Sequence, residues 1–308
     1  MKSGKNIFGT ARFFDHSKGY SYNSFCLVNV VISLKGELLF ILPWMLLDPK
    51  KSSQKNSGLD KIRDPKTLAG IELLKFYIGY FKEFNIPTRK VVVLADSWFS
   101  NKTMKKFVTI TGIDYRLDLK KNLQVQQPDH EAIRKRNEKR RGRKRKKFVK
   151  YCSLMEYFTK SDDWSSFIDS KKNKKVYYKS AEVTLKTAGR VRVYAFRWEG
   201  KEKIKFIMTP PVRIHKPTAK RVYEDYAVRW NIEVAHRDLK QQFSLSKNQS
   251  RKEEVVRGFI GIVNLTYSLW KIWASFLQKT QNITIKCPTW SKMFHYQHIL
   301  KNYPISGG

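Results

Sequence analysis

Apolar and polar positions along the chain fall into short blocks with two different periods. Phe25 to Leu34 is rich in β-branched residues and closes at Lys35-Gly36, and Leu38 to Leu47 follows with Pro43 inside it. The two runs predict a β-hairpin, with the proline marking an irregular or edge position. Lys50 to Asp64 is polar and reads as a loop. From Lys66 to Phe84 the period changes, because Leu68, Ile71, Leu74, Ile78 and Phe81 recur at helical spacing and Asn85-Ile86-Pro87-Thr88 ends the run. Lys90 to Ala95 is a compact apolar run, the pattern of a strand buried on both faces. A helix from Ser97 to Val108, a stop at Gly112 and a strand from Asp114 to Leu119 come next. Val176 to Thr184, Arg190 to Arg197 and Lys203 to Met208 are three strand-like runs parted by Ala188-Gly189 and Glu199-Gly200. They predict a small antiparallel β insertion. Strands and helices in this order point to an α/β fold, a mixed sheet flanked by helices.

The segment after Pro210-Pro211 and Pro217 is the most loaded with chemistry. Thr218 is placed to cap a helix that runs through Tyr226 to Lys240. At about 100° per residue, Tyr226, Arg229, Glu233 and Lys240 share an arc of roughly 60°. Val228, Ile232, Ala235, Leu239 and Phe243 form an apolar stripe of about 80° beside it. One helix is therefore expected to bury one face and line up an acid, two cations and a phenol on the next. Taken alone, the pattern equally describes an ordinary amphipathic helix with solvated charges. Core packing is the expected role of Trp230, and solvent exposure that of His236.

Composition changes this picture. The 308 residues carry 62 Lys+Arg against 26 Asp+Glu, a net charge of +36. That excess points to a polyanionic partner, nucleic acid before anionic membrane. A hydrophobic content of 41% and an aromatic content of 14% are those of a globular chain rather than a basic tail. The cations crowd between Arg134 and Lys147, which reads as a basic loop, disordered in the free protein and ordering where it contacts DNA phosphates. Cys26, Cys152 and Cys287 lack metal or disulfide spacing, which fits a reducing cytosol. Phe259 to Leu277 is the longest apolar run, but Asn264, Thr266 and Lys271 make it a buried helix rather than a membrane span.

Two acids stand out by position. Asp96 follows the apolar run at Lys90 to Ala95, where strand ends of an open α/β sheet present functional groups; capping the next helix is its ordinary alternative role. Glu233 lies next to the buried stripe. A strand-end Asp and a helical Glu supply the oxygen donors that magnesium prefers, and paired ions can activate a water or 3′-hydroxyl on a phosphodiester.

These pieces resemble a known family. Tyr226-x2-Arg229-x3-Glu233-x6-Lys240 matches the Y-R-E-K signature of bacterial insertion-sequence transposases of the IS-four type. Leu94-Ala95-Asp96-Ser97-Trp98-Phe99-Ser100 resembles the strand that carries their second catalytic aspartate. Phe14 to Gly19, Lys120 to Asn122 and Gln249 to Glu254 look like further family stretches, so the resemblance runs from about Ile7 to Trp273. It implies an RNase H-like fold, with the β insertion between the second and third acids of an Asp-Asp-Glu triad and two Mg2+ ions, for which Mn2+ substitutes. By resemblance Asp96 and Glu233 are catalytic metal ligands. Tyr226, Arg229 and Lys240, with Arg237 beside them, contact DNA phosphates. The implied activity is cleavage and strand transfer on double-stranded element ends and target DNA, by a cytoplasmic, nucleoid-associated bacterial protein that forms a homodimer in the DNA complex.

The resemblance divides the chain into a first core part (1–128), a basic loop with the β-rich insertion (129–215), the catalytic-helix part (216–280) and a tail (281–308). In the family the first acid precedes the Asp-His-Ser-Lys-Gly stretch. Here only fourteen residues precede Asp15, none of them acidic, and Asp15 itself reads as part of a turn. The first acid is therefore expected to be missing. An active DDE transposase and a truncated remnant that only binds DNA are the two resulting alternatives.

Overall fold

The computed structural model describes residues 10–15, 19–34, 37–41, 44–47, 65–128, 148–211, 217–245, 248 and 250–281. The basic run at 134–147, the stretch His16 to Lys18 and the tail beyond Gln281 lie outside them. The chain forms two compact units, Met1–Tyr77 with Trp230–Gly308, and Ile78–Arg229.

The first unit begins with β1 (Thr10–Asp15) and β2 (Tyr20–Asn29), an antiparallel hairpin in which Asp15 pairs with Tyr20. Asp15 therefore lies in a strand, paired with Tyr20, and not in a turn as its sequence neighbours suggest. Strands β3 (Ile32–Leu34) and β4 (Glu37–Phe40) form the expected second hairpin, and β5 (Trp44–Leu47) returns to pair with β2. Pro43, expected at an irregular or edge position, lies outside the described residues. Helix α1 (Pro65–Glu83) matches the expected span. Its buried face is rotated from the Leu/Ile pattern, however, and comprises Thr67, Ala69, Gly70, Ile71, Leu73 and Tyr77. Small residues occupy the covered side while Phe76 and Tyr80 stay outside. Asn85, at φ 54°, ends the helix in the left-handed region that Asn tolerates.

The second unit is built on one sheet. Strand β6 (Val92–Ala95) lies parallel to β7 (Asp114–Leu119), with helix α2 (Lys102–Ile110) as the crossover. The helix starts later than its sequence suggests, since Ser97–Phe99 is a separate 3-10 turn and Asn101 caps α2 by accepting from the Met104 N–H at 3.0 Å. Strands β8 (Gln124–Pro128), β9 (Phe148–Ser153), β10 (Ser165–Asp169), β11 (Lys174–Leu185), β12 (Gly189–Trp198) and β13 (Ile204–Thr209) complete the sheet. Helix α3 (Leu154–Thr159) follows β9 behind a Ser153/Glu156 capping box. The strand order is β6-β7-β13-β12-β11-β8-β9, with β10 on β11. The three strands expected after residue 175 are hydrogen-bonded to the strands around Asp96 through β13 on β7. Gly189 has φ +70° at the tight β11–β12 turn, a conformation open to glycine at little cost. Lys105 on α2 donates to the carbonyls of Ala188 (2.8 Å) and Arg190 (2.5 Å), tying helix to turn.

Strand β6 corrects an expectation. Among the described residues it is the outermost strand of this sheet, and each of its residues is only partly covered. With a neighbour on one side, its apolar side chains reach half-burial rather than the full burial of a central strand.

Helix α4 (Ala219–Ala227) is capped as expected, Thr218 Oγ1 accepting from the Arg221 N–H at 3.2 Å. It packs Ala219, Val222 and Tyr226 onto Val176, Tyr194, Phe196 and Ile207 of the sheet. Helix α5 (Trp230–Gln241) belongs to the first unit, where Ala235, Leu239 and Phe243 meet Val263, Tyr267 and Trp270 of the 29-residue α6 (Glu253–Gln281). On α6 the buried polar pair Asn264 and Ser268 faces strand backbone and side chains. Asn29 Nδ2 donates to Asn264 Oδ1 (3.4 Å), and the Ile41 N–H donates to Ser268 Oγ (3.1 Å). Among the described residues no helix is long and apolar enough to cross a membrane.

Candidate functional site

The stripe from Tyr226 to Lys240 does not lie on one helix. Helix α4 ends at Ala227, α5 begins at Trp230, and Val228 and Arg229 form the turn between them. The Val228 and Arg229 N–H groups bond three residues back, to Asp225 (3.3 Å) and Tyr226 (3.0 Å), which tightens the chain out of α geometry. No proline or glycine causes the break. Tyr226 is committed to one hydrophobic core, and Ala235 and Leu239 are committed to another. A straight helix would have carried one continuous stripe to one surface.

In the second unit the carboxyl ends of β6 and β7 carry two aspartates. Asp96 is exposed and caps the 3-10 turn, its Oδ1 accepting from the Trp98 N–H at 3.0 Å. The ordinary capping role is therefore real, and it takes up one carboxylate oxygen. Asp118 on β7 is partly buried, and Lys205 of β13 donates to its Oδ2 at 2.8 Å. Ser100 donates its hydroxyl hydrogen to the Asp118 carbonyl, fixing the turn after Asp96 against β7. Tyr226 is buried beside these groups. The Lys205 Nζ lies 5.4 Å and the Arg229 guanidinium 5.5 Å from its ring centre. Burial pushes the Tyr226 phenol well up, the Asp118 and Asp96 carboxylates reinforce that shift, and Arg229 opposes it. The hydroxyl thus keeps its proton and stands as a neutral group between two carboxylates and two cations.

A buried ion-pair network ties α4 to β7, toward the amino end of that strand. Arg116 of β7 is almost wholly buried and reaches Asp114 (2.7 Å) and Asp225 (3.2 Å), while Arg221 meets Asp225 from the solvent side at 2.8 Å. Burial raises the Asp225 pKa, and the two arginines act against that rise.

In the first unit, α5 places Glu233 in its first turn and Lys240 in its last, the arrangement the helix dipole favours at both ends. Arg237 is exposed and pairs with Asp238 at 3.8 Å. Two expectations are reversed here. Trp230 is 58% exposed, because the helix begins with it at the junction rather than burying it. His236 is largely covered, and among the described residues its buried Nε2 has no hydrogen-bond partner. Burial first, and then Lys240, draws its pKa down, with Glu233 pulling the other way.

Among the described residues no three His, Cys, Asp or Glu side chains are gathered closely enough to hold a metal ion. The donor chemistry of Asp96 still fits one. Magnesium takes carboxylate oxygen and commonly rests on one or two protein carboxylates, with water and phosphate filling its other positions.

The family model for the DDE superfamily endonucleases matches residues 1–189. The chain belongs to this family. No curated protein matches the chain. The match covers the hairpins of the first unit, Asp96 and Asp118, and ends before Tyr226. Membership gives the chain a DDE nuclease domain and, with it, chemistry on nucleic acid that in this family generally depends on divalent metal. Sequence reasoning missed Asp118 and Lys205. The one available signal was a second acid at the fifth position of the strand Asp114-Tyr115-Arg116-Leu117-Asp118-Leu119; Lys205, 87 positions away, gave none.

Proposed function

We propose that the chain is a DDE transposase of the insertion-sequence type with an RNase H-like core, which cuts phosphodiester bonds at the ends of an element and joins the freed 3′-hydroxyl to target DNA. The observation that carries this reading is Asp96. It is an exposed carboxylate at the carboxyl end of a strand in a DDE family chain, followed in sequence by a β-rich stretch and then by Glu233 in the Y-R-E-K spacing. In this reading Asp96 and Glu233 hold Mg2+, or Mn2+ in its place. A bound ion would polarise the scissile phosphate and lower the pKa of the attacking water or hydroxyl.

The chain's own residues bind and orient the substrate. Arg229 offers a planar fork suited to two phosphate oxygens, whereas Lys240 and Arg237 act as positive charges along the backbone. Tyr226, protonated and buried, packs beside Arg229 and presents it rather than meeting a phosphate through its ring. Lys205 neutralises Asp118, so the end of the sheet repels an incoming phosphate less. The partner is double-stranded DNA, and in a bacterial cell that places the protein at the nucleoid. The net charge of +36 supplies the attraction that every DNA sequence shares.

The test is nicking of supercoiled DNA that carries the element's ends, in Mg2+ or Mn2+, with Asp96→Ala and Glu233→Ala proteins as controls. Both variants are expected to retain DNA binding and lose nicking at least a hundredfold, in line with the roughly 10²–10³ lost with a single electrostatic catalytic group. Nicking that persists in either variant contradicts the assignment. An intact protein that binds but never cuts supports the DNA-binding remnant instead.

A further inference from the structure

The parallel strands β6 and β7 end side by side on two carboxylates. Their register pairs Ala95 with Leu117, so the next positions are Asp96 and Asp118, and Asp96 keeps an extended backbone at φ −76° and ψ 178°. Adjacent strands lie about 4.8 Å apart, and residues in register leave the sheet on one face. Like charges directly opposite one another destabilise a sheet, so this pair calls for a cation. Lys205 of β13 supplies one to Asp118, Nζ to Oδ2 at 2.8 Å, with the lysine side chain 28% and the aspartate 17% exposed. Among the described residues no ion pair reaches Asp96. A second observation marks the place as incomplete. Tyr226 is 8% exposed, and its hydroxyl is buried near both carboxylates without a hydrogen bond of normal geometry among the described residues. Burial keeps that phenol protonated, so what it lacks is an acceptor oxygen, which a ligand brings.

We propose that Asp118 is a further carboxylate of the cation site at Asp96, and that Lys205 is its stand-in cation, handed over to a DNA phosphate when a divalent ion takes its place. The inference rests on the reading of Asp96 as an ion ligand. Asp118 belongs neither to the Y-R-E-K spacing nor to the stretch Leu94 to Ser100, and its assignment comes from the strand register alone. Without the ion, Asp118 is paired and Lys205 is withheld from substrate. With the ion, the two aspartates share a doubly charged partner, a number of protein carboxylates that magnesium commonly accepts. The Lys205 ammonium, a compact charge on a flexible stem, then serves the nearest backbone phosphate. The exchange couples the two ligands. An ion that displaces Lys205 adds a phosphate contact, and a phosphate that draws Lys205 away raises the affinity for the ion by the same factor.

The test is Mn2+ binding to the full chain without DNA, followed through the paramagnetic resonance of the free ion. Wild type, Asp96→Asn, Asp118→Asn, Lys205→Met and the Asp118→Asn/Lys205→Met double variant are compared, each checked by circular dichroism. Asp118→Asn should weaken Mn2+ binding at least about tenfold, as loss of a group around a metal does. Lys205→Met should tighten it about three- to fivefold, because an ion pair of this exposure no longer competes. In the Asp118→Asn background the same change should matter less than about twofold, since Lys205 competes only through Asp118. A purely structural ion pair would leave both single variants at wild-type affinity. DNA binding supplies a second readout. At fixed Mn2+ the slope of log affinity against log salt should be lower by about 1 in Lys205→Met than in wild type, and without the ion the two slopes should match. Lys205→Met that binds Mn2+ no better than wild type, an equal gain in the Asp118→Asn background, or equal slopes in Mn2+ overturns the exchange. Should Lys205→Met not fold, Asp118→Asn decides, because asparagine keeps the shape and still accepts from Lys205; wild-type Mn2+ affinity in that variant overturns the proposal. If Asp118→Asn binds normally and Asp96→Asn does not, this inference fails and the reading of Asp96 stands. If Asp96→Asn binds like wild type, the reading of Asp96 fails and the inference falls with it.

Discussion

Removing the Arg116 side chain by Arg116→Met exposes how α4 is held on the sheet of the second unit. The guanidinium is 3% exposed and joins Asp114 and Asp225, which are themselves only 13% and 12% exposed. Breaking a buried ion pair from one side costs about 3–5 kcal/mol, since it strands a charge. Here Arg221 still reaches Asp225 from solvent at 2.8 Å, which places the expected loss near the lower end, about 3 kcal/mol. The pH dependence carries the diagnosis. Burial already raises the Asp225 pKa above its usual value, and losing Arg116 raises it further. A carboxyl whose folded pKa lies above its unfolded one binds more protons when folded, so stability is fullest below the unfolded pKa and falls as pH rises through the folded one. The variant should therefore be nearest to wild type at acid pH, below the usual carboxylate pKa, and furthest from it once pH exceeds the raised folded pKa of Asp225. Urea unfolding followed by circular dichroism at several pH values measures this. Adding Asp225→Asn should recover about half of the loss and flatten the pH dependence. A loss under about 1 kcal/mol, or one that grows as pH falls, would refute the account of a stranded carboxylate.

Other outcomes follow from the same contacts. Phe196→Ala removes a fully buried ring that packs on Tyr194, Tyr223 and Phe167, and should cost about 3–5 kcal/mol in the same unfolding experiment. Lys240→Ala should weaken binding to DNA of any sequence and lower the slope of log affinity against log salt by about 1, read by fluorescence anisotropy at several salt concentrations. The His236 imidazole should titrate below its usual pKa of 6.5, because burial and Lys240 disfavour its charge. Since its folded pKa is depressed, its contribution is present above the unfolded pKa and is lost as pH falls toward the folded one. An NMR titration of the ring protons checks the direction, and a pKa above the usual value would contradict the burial described.

Local pattern was enough where local interactions decide. The span of α1, the Thr218 cap, the β3–β4 hairpin and the three antiparallel strands β11, β12 and β13 all follow from period and punctuation. Longer-range packing decided the rest. Nothing between Tyr226 and Trp230 forbids a helix, and the break there arises because Tyr226 and Leu239 serve separate cores. The exposure of Trp230 and the covering of His236 follow from the same junction. Lys205 and Asp118 meet only because β13 lies on β7, a pairing no short window contains. The partial covering of β6 likewise depends on its place in the strand order, and its composition is that of a central strand. The Asp96 signal survived because its capping bond and its strand-end position are both local.

The central claim, that Asp96 and Glu233 hold one divalent ion, is tested most directly by Mn2+ binding, followed through the paramagnetic resonance of the free ion. Wild type, Asp96→Asn, Glu233→Gln and the double variant should be compared, each first shown to be folded. If the carboxylates share an ion, each single change lowers affinity at least about tenfold, and the double variant binds little worse than either single one. Single variants that bind Mn2+ like the wild type, or losses that simply add in the double variant, would contradict a shared ion.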